Sequence, residues 1–129
     1  MSFLPESDRD YLKEKGYEYQ EIVDGSQRGV LFPKWKLPVG KYNLDEVELL
    51  ILIPSGYRDT PLDMFYNFPE VILKNEQRKA KATEANHVFQ SRTYQRWSRH
   101  LPGGTWRPGI DGLHTFMQAI QKALAEASA

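Results

Sequence analysis

An apolar run of strand length, Val47–Ile53, is the feature that most constrains the fold of this chain. Only Glu48 interrupts the run, and Pro54 ends it. The run is far short of the roughly 20 residues that a membrane-spanning helix needs, so it predicts a buried β-strand. We expect this strand, within residues 44–53, to be the buried centre of a sheet.

The flanking segments predict the other strands of that sheet. Residues 17–23 alternate with a period near two, and Asp24-Gly25 supplies a turn before a second strand at residues 28–32. The segment 62–73 is rich in aromatic and β-branched residues, which predicts a fourth strand near its end. We therefore expect a four-stranded antiparallel meander.

The two ends of the chain have helical patterns. Pro5 and the acidic residues after it are typical of a helix start, and this helix should end near Lys15. In the last segment Asp111 can cap a helix whose apolar residues recur at helical spacing: Leu113, Phe116, Met117, Ile120 and Leu124.

Between sheet and helix, six of the eleven residues in Lys74–Glu84 are charged, which predicts a mobile surface loop. The pattern as a whole indicates one α+β domain spanning residues 1–129.

The composition excludes several classes of function. Seventeen basic and seventeen acidic residues cancel, so no overall field attracts nucleic acid or an anionic membrane, and we expect neither as a partner. The chain has no cysteine, which excludes disulfides, thiolate metal sites and thiol nucleophiles. The three histidines, at positions 87, 100 and 114, form no short ligand motif, so we predict no metal and no cofactor. The N-terminus lacks a signal-peptide pattern, and we expect a cytoplasmic protein.

Three consecutive landmarks carry a resemblance to a known family. The central strand runs into IPSGYRDTP at residues 53–61, WSRHLPGGTW follows at 97–106, and WRPGIDGLHTFMQAIQKAL completes the series at 106–124. Their order and approximate spacing resemble the ubiquitin-conjugating (UBC) fold over residues 49–124. The resemblance implies an N-terminal helix, a four-stranded antiparallel meander and a C-terminal helix.

The resemblance also implies a reactive position. In the UBC family a catalytic cysteine precedes, by about eight residues, a tryptophan that is closely followed by proline. Counting back eight residues from Trp106 reaches Ser98. The family's thiol accepts the C-terminal carboxyl of a ubiquitin-like modifier from an activating enzyme. A serine could accept the same acyl group as an oxyester, but its hydroxyl needs a base, for which His100 is the candidate.

Residues around Ser98 are candidates for binding the modifier or the activating enzyme. We select two neighbours of the serine and three residues of the flanking landmarks: Trp97, Arg99, Tyr57, Pro61 and Trp106. The aromatic members of this set also fit a place in the core, where such side chains are more often found. A group of four arginines, Arg92, Arg96, Arg99 and Arg107, suits either a docking surface for a carboxyl-terminal tail or a solvated basic rim.

The chain departs from the family pattern because no His-Pro-Asn tripeptide precedes Ser98. It is similar in this to bacterial UBC-related proteins that lack a histidine before the site and keep one after it. Asn86 lies near the expected position, but we do not expect its amide to stabilise an oxyanion. The leading hypothesis is a carrier in a bacterial ubiquitin-like conjugation pathway. The alternatives are a catalytically inactive scaffold for the modifier or its activating enzyme, an engineered Cys-to-Ser form of a thiol carrier, and a generic α+β interaction domain.

Overall fold

The computed structural model describes residues 2–99 and 105–129. In this part of the chain two helices accompany an antiparallel sheet of six strands. The elements are α1 Glu6–Glu14, β1 Gln20–Asp24, β2 Gln27–Lys36, β3 Glu46–Leu52, β4 Phe65–Phe68, β5 Asn86–Phe89, β6 Arg92–Trp97 and α2 Leu113–Glu126.

The sheet begins as the expected meander but contains two more strands than predicted. Its order is β1-β2-β3-β4-β6-β5, with every neighbouring pair antiparallel. The prediction of four strands is wrong because residues 86–97 form a further hairpin that joins β4 through β6. Polar Gln95 occupies a buried position of β6, so this hairpin lacks the alternation of apolar and polar residues that reveals a half-buried strand.

The central strand and the first hairpin are confirmed. Strand β3 lies between β2 and β4, and its residues 49–51 are fully buried. Asp24 pairs with Gln27, and Gly25 adopts a φ of +61° in the turn between them. Strand β4 occupies the middle of segment 62–73 rather than its end, because Pro69 has no N–H to donate to the ladder.

Side chains of successive strand residues point to opposite faces of the sheet and form two clusters. The larger one packs against the helices and includes Phe32, Leu49, Phe65, Trp97, Phe116 and Ile120. The smaller one, on the other face, consists of Leu31, Leu50, Tyr66, Phe89 and Tyr94. The sheet curls around this second cluster until its two outer hairpins meet, where the Gln90 N–H donates to Asp24 Oδ2 over 2.7 Å.

Both predicted helices are confirmed, but α2 begins differently from the prediction. Its N-cap residue is Gly112 rather than Asp111. The Leu113 N–H donates to Asp8 Oδ1 of α1 at 3.3 Å, and the Tyr57 hydroxyl donates to the other oxygen of the same carboxylate at 2.6 Å. A carboxylate at this position satisfies a free N–H and interacts favourably with the helix dipole.

Segment 74–84 differs from the predicted surface loop because two of its residues, Ala80 and Thr83, are buried. The Lys81 N–H donates to the Ser128 carbonyl at 2.8 Å, just beyond α2. The buried Gln95 side chain donates to the Thr83 carbonyl at 3.4 Å. Hydrogen bonds therefore order a segment that has few apolar side chains of its own.

Candidate functional site

Ser98 lies directly after β6, where contacts from two other segments hold its backbone. The Ser98 N–H donates to the Ala82 carbonyl at 3.1 Å, and the Arg99 N–H donates to the Trp97 carbonyl at 2.9 Å. The Arg99 carbonyl accepts from the Met64 N–H at 3.0 Å. The Ser98 side chain is half-buried, and no hydrogen bond joins its hydroxyl to another residue within 2–99 or 105–129. The backbone at Ser98 is therefore fixed by contacts with two other segments of the chain.

The candidate base, His100, lies outside the described residues, as do residues 101–104. Its assignment as the partner of Ser98 stays a prediction.

A groove of about 560 Å³ lies beside Ser98, between α2 and segment 81–82. We call it the α2 groove. Its apolar lining consists of Phe65, Ala82, Phe116, Ala119, Ile120, Ala123 and Ala127, and its charged lining consists of Lys81, Arg99, Lys122 and Glu126. Three cations against one anion give the groove an excess of positive charge, which favours an anionic occupant.

Arg99 connects Ser98 to the α2 groove, since it follows the serine and lines the groove. Its guanidinium lies over the Trp97 ring, 5.0 Å from the ring centre. Partial burial lowers the pKa of Arg99, and the nearby Tyr42 opposes this effect. A partly desolvated cation attracts a carboxylate more strongly than one fully in water.

Trp97 is a core residue, which corrects its assignment as a binding residue. Its side chain is 0% exposed and stacks on Phe65 with ring centres 5.3 Å apart. Tyr42 meets the same indole edge-on at 6.1 Å. Because β6 continues to Trp97, the ring points into the large core, and a partner cannot contact it directly.

The other three predicted binding residues lie away from the α2 groove lining. Tyr57 and Trp106 are half-buried against the large core, and Pro61 is exposed. The Trp106 indole N–H donates to the Arg58 carbonyl at 2.8 Å. Burial raises the pKa of the Tyr57 hydroxyl, and the hydrogen bond to Asp8 is the second largest cause of this rise. Trp106 therefore joins the 53–61 turn to the segment before α2, and Tyr57 joins the same turn to Asp8 of α1.

The segment before α2 is itself held by ionic hydrogen bonds. The Arg107 N–H donates to Asp111 Oδ2 at 2.7 Å, and the Arg107 guanidinium contacts both carboxylate oxygens. These bonds lower the pKa of Asp111 to about 2. The Arg58 guanidinium donates to the Asp111 and Ile110 carbonyls, both at 3.2 Å.

The four arginines grouped by the sequence do not form one docking surface. Arg92 pairs with Glu48 and lies over the Phe68 ring. Arg96 belongs to the opposite face of the sheet from Trp97, where it is paired with Tyr66. Arg107 binds Asp111, as described above. Of the four, Arg99 alone lines the α2 groove.

Sequence reasoning missed the groove residues that come from distant segments. Lys122 lies on the polar side of the α2 pattern and Lys81 in the charged segment, and neither position carries a signal of its own. Asn86 pairs with Gln95 in the β5–β6 ladder. Ser98 lies three positions beyond Gln95, roughly 10 Å along the strand. Asn86 is therefore paired at a distance from Ser98.

The described residues contain no cluster of three or more His, Asp or Glu side chains that could hold a metal ion. Within the same residues, neither helix has the length and apolar character needed to cross a membrane.

An N-terminal helix, a sheet that starts as an antiparallel meander, and a closing helix agree with the arrangement that the resemblance to the ubiquitin-conjugating (E2) class implies. The sequence pattern of prokaryotic E2 family E matches residues 4–127, and the chain belongs to this family. Comparisons with curated proteins and with solved structures each give no match. The family indicates a role in bacterial ubiquitin-like protein conjugation.

Proposed function

We propose that this protein carries and transfers a ubiquitin-like modifier, with the modifier's C-terminal carboxyl esterified to the Ser98 hydroxyl. The observation that carries the proposal is that two residues beside Ser98 line the α2 groove, although Ser98 itself is not part of the lining. Ala82, which binds the Ser98 N–H, and Arg99, which follows it, both line that groove. Family membership supplies the class of partner, namely a ubiquitin-like modifier and its activating enzyme.

The α2 groove suits the tail of such a modifier. Its apolar floor accommodates an extended peptide, and the Arg99 guanidinium, which lines the same groove, can donate a hydrogen bond to the carbonyl oxygen of the thioester. Binding the tail in one orientation brings the activated carbonyl to the hydroxyl and lowers the entropic cost of the reaction.

The modifier passes from the thiol of the activating enzyme to the Ser98 oxygen in a single acyl-transfer reaction. His100 takes the proton of the Ser98 hydroxyl, and the oxygen attacks the thioester carbonyl of the activated modifier. A carbon–oxygen bond forms, the carbon–sulfur bond breaks, and the activating enzyme's thiol leaves with a proton. An oxyester reacts with amines more slowly than a thioester, so the onward step depends on how the acceptor is held.

The test uses a fluorescent hexapeptide that ends in Gly-Gly and is activated as a C-terminal benzyl thioester. We expect an adduct that survives reducing agent, is cleaved by hydroxylamine, and maps to Ser98 by mass spectrometry. Ser98→Ala should abolish it, while the matched control Ser55→Ala, at an exposed turn serine, should leave it unchanged. His100→Ala should slow its formation by about a hundredfold. Absence of the ester, or its persistence in Ser98→Ala, contradicts the proposal.

The second candidate function is a scaffold that binds the modifier without covalent chemistry. The lack of both cysteine and a His-Pro-Asn segment favours it, and the α2 groove would serve the same tail. The free-acid form of the peptide separates the two functions. Binding measured by fluorescence anisotropy, together with no ester from the thioester peptide, supports the scaffold.

A further inference from the structure

Lys81 lies in the segment that holds Ser98 in place. The next residue, Ala82, accepts the Ser98 N–H at 3.1 Å, and the Lys81 N–H donates to the Ser128 carbonyl at 2.8 Å. The backbone of Lys81 is thus fixed between the acyl site and the end of α2. Its side chain lines the α2 groove together with Arg99.

The amine of Lys81 is available and within reach of Ser98. The residue is exposed, and no ion pair or hydrogen bond joins its ammonium to another residue of the described ranges. By contrast, Lys79 pairs with Glu70 at 3.2 Å, and Lys41 donates to the Ala125 carbonyl at 2.6 Å. Ala82 is hydrogen-bonded to Ser98, and chain segments joined in this way lie about 4.8 Å apart. Lys81 is one residue, about 3.8 Å, further along, so we infer that its four-carbon stem can span the separation.

We propose that Lys81 is an acceptor for the acyl group carried on Ser98, so that the protein modifies itself. This inference rests on the proposed function. The neutral amine nitrogen of Lys81 attacks the ester carbonyl, a carbon–nitrogen bond forms, and the bond from that carbon to the Ser98 oxygen breaks. The proton shed by the amine returns to the Ser98 oxygen. The products are an isopeptide and a free hydroxyl, and no further reactant is needed.

Lys122 is the matched comparison for Lys81. It lines the same groove from α2, but no described hydrogen bond connects its neighbours to Ser98. Because an amine held beside the ester reacts at a high effective concentration, acylation should favour Lys81.

The experiment loads the wild-type protein, Lys81→Arg, Lys34→Arg and Ser98→Ala with the same peptide thioester. Hydroxylamine then removes esters, and digestion with mass spectrometry quantifies the amides at each lysine. We expect the Lys81 amide to accumulate as the Ser98 ester declines, at a rate that does not depend on protein concentration. Lys81→Arg should lower total amide about tenfold and prolong the life of the ester, while Lys34→Arg, at an exposed position of β2 outside the groove lining, should change neither.

The outcomes separate this inference from the proposed function. If the Ser98 ester forms but amide spreads evenly over the lysines, the inference is wrong and the proposed function stands. An equal rate of Lys81 amide in Ser98→Ala would mean direct attack on the thioester, which also overturns the inference. A rate proportional to protein concentration would mean transfer between molecules and refutes self-modification. If no ester forms at all, the proposed function fails and the inference fails with it.

Discussion

Replacing Gln95 with leucine should destabilise the protein, because this buried amide joins three segments near the candidate site. Gln95 is 1% exposed. Its Oε1 accepts from the Val71 N–H at 2.9 Å and from Asn67 Nδ2 at 3.0 Å. Its Nε2 donates to the Val71 carbonyl at 3.1 Å and to the Thr83 carbonyl at 3.4 Å.

The expected loss follows from which groups would remain without partners. Leucine has a volume close to that of glutamine, so the loss of stability comes mainly from the missing hydrogen bonds. The buried Val71 N–H loses its acceptor, at a cost of about 1–3 kcal/mol. Asn67 keeps its bond to the Pro69 carbonyl at 2.8 Å, while the Val71 carbonyl loses a bond of 3.1 Å and the Thr83 carbonyl a longer one of 3.4 Å. The free energy of unfolding should therefore fall by about 2–4 kcal/mol.

Urea unfolding followed by tryptophan fluorescence measures this change directly. The matched control is Gln118→Leu, at an exposed position of α2, which should alter the free energy of unfolding by less than about 0.5 kcal/mol. A loss below about 1 kcal/mol in Gln95→Leu would refute the reasoning, since it would mean that water replaces the lost partners.

Three further predictions concern the site and its surroundings. Ser98→Cys should form its acyl adduct about tenfold faster or more than the wild type, and dithiothreitol should cleave that adduct, as intact mass measured with and without reductant will show. Trp97→Ala should lower the free energy of unfolding in urea by about 3–5 kcal/mol as a core residue does, whereas the exposed Pro61→Ala should stay within about 0.5 kcal/mol. Because Arg107 holds the folded pKa of Asp111 to about 2, the ionised carboxylate contributes its full stability above the unfolded pKa of about 3.9 and loses it as pH falls toward 2. Asp111→Asn should therefore make the melting temperature less dependent on pH between 4 and 2, and an unchanged slope would contradict this assignment.

The sequence predicts those parts of the fold that local pattern determines. Helix α2 and strand β3 follow from apolar spacing, and the first hairpin follows from Asp24-Gly25. The β5–β6 hairpin could not be recognised, because Gln95 occupies an inward position that pattern analysis assigns to apolar side chains. The interaction of Asp8 with α2 joins residues 105 positions apart, which no local signal reports.

The candidate site likewise includes residues that the sequence predicts and residues that only the tertiary structure reveals. Spacing from Trp106 identified Ser98, and Arg99 was selected as its neighbour. Trp97 was misassigned because its direction depends on where β6 ends, and a strand end decides which face a side chain occupies. Lys81 reaches the site through a contact between segments, so its place depends on tertiary structure alone.

The contact between the two outer hairpins, β1–β2 and β5–β6, should affect how fast the folded protein unfolds. The bond between Gln90 and Asp24 joins positions 66 residues apart, so the intervening chain must be largely arranged before it forms. We expect this contact to form late in folding, so that weakening it accelerates unfolding while leaving the rate of refolding nearly unchanged. Substitutions at Asp24 should accordingly reduce the protein's resistance to proteolysis without preventing it from folding.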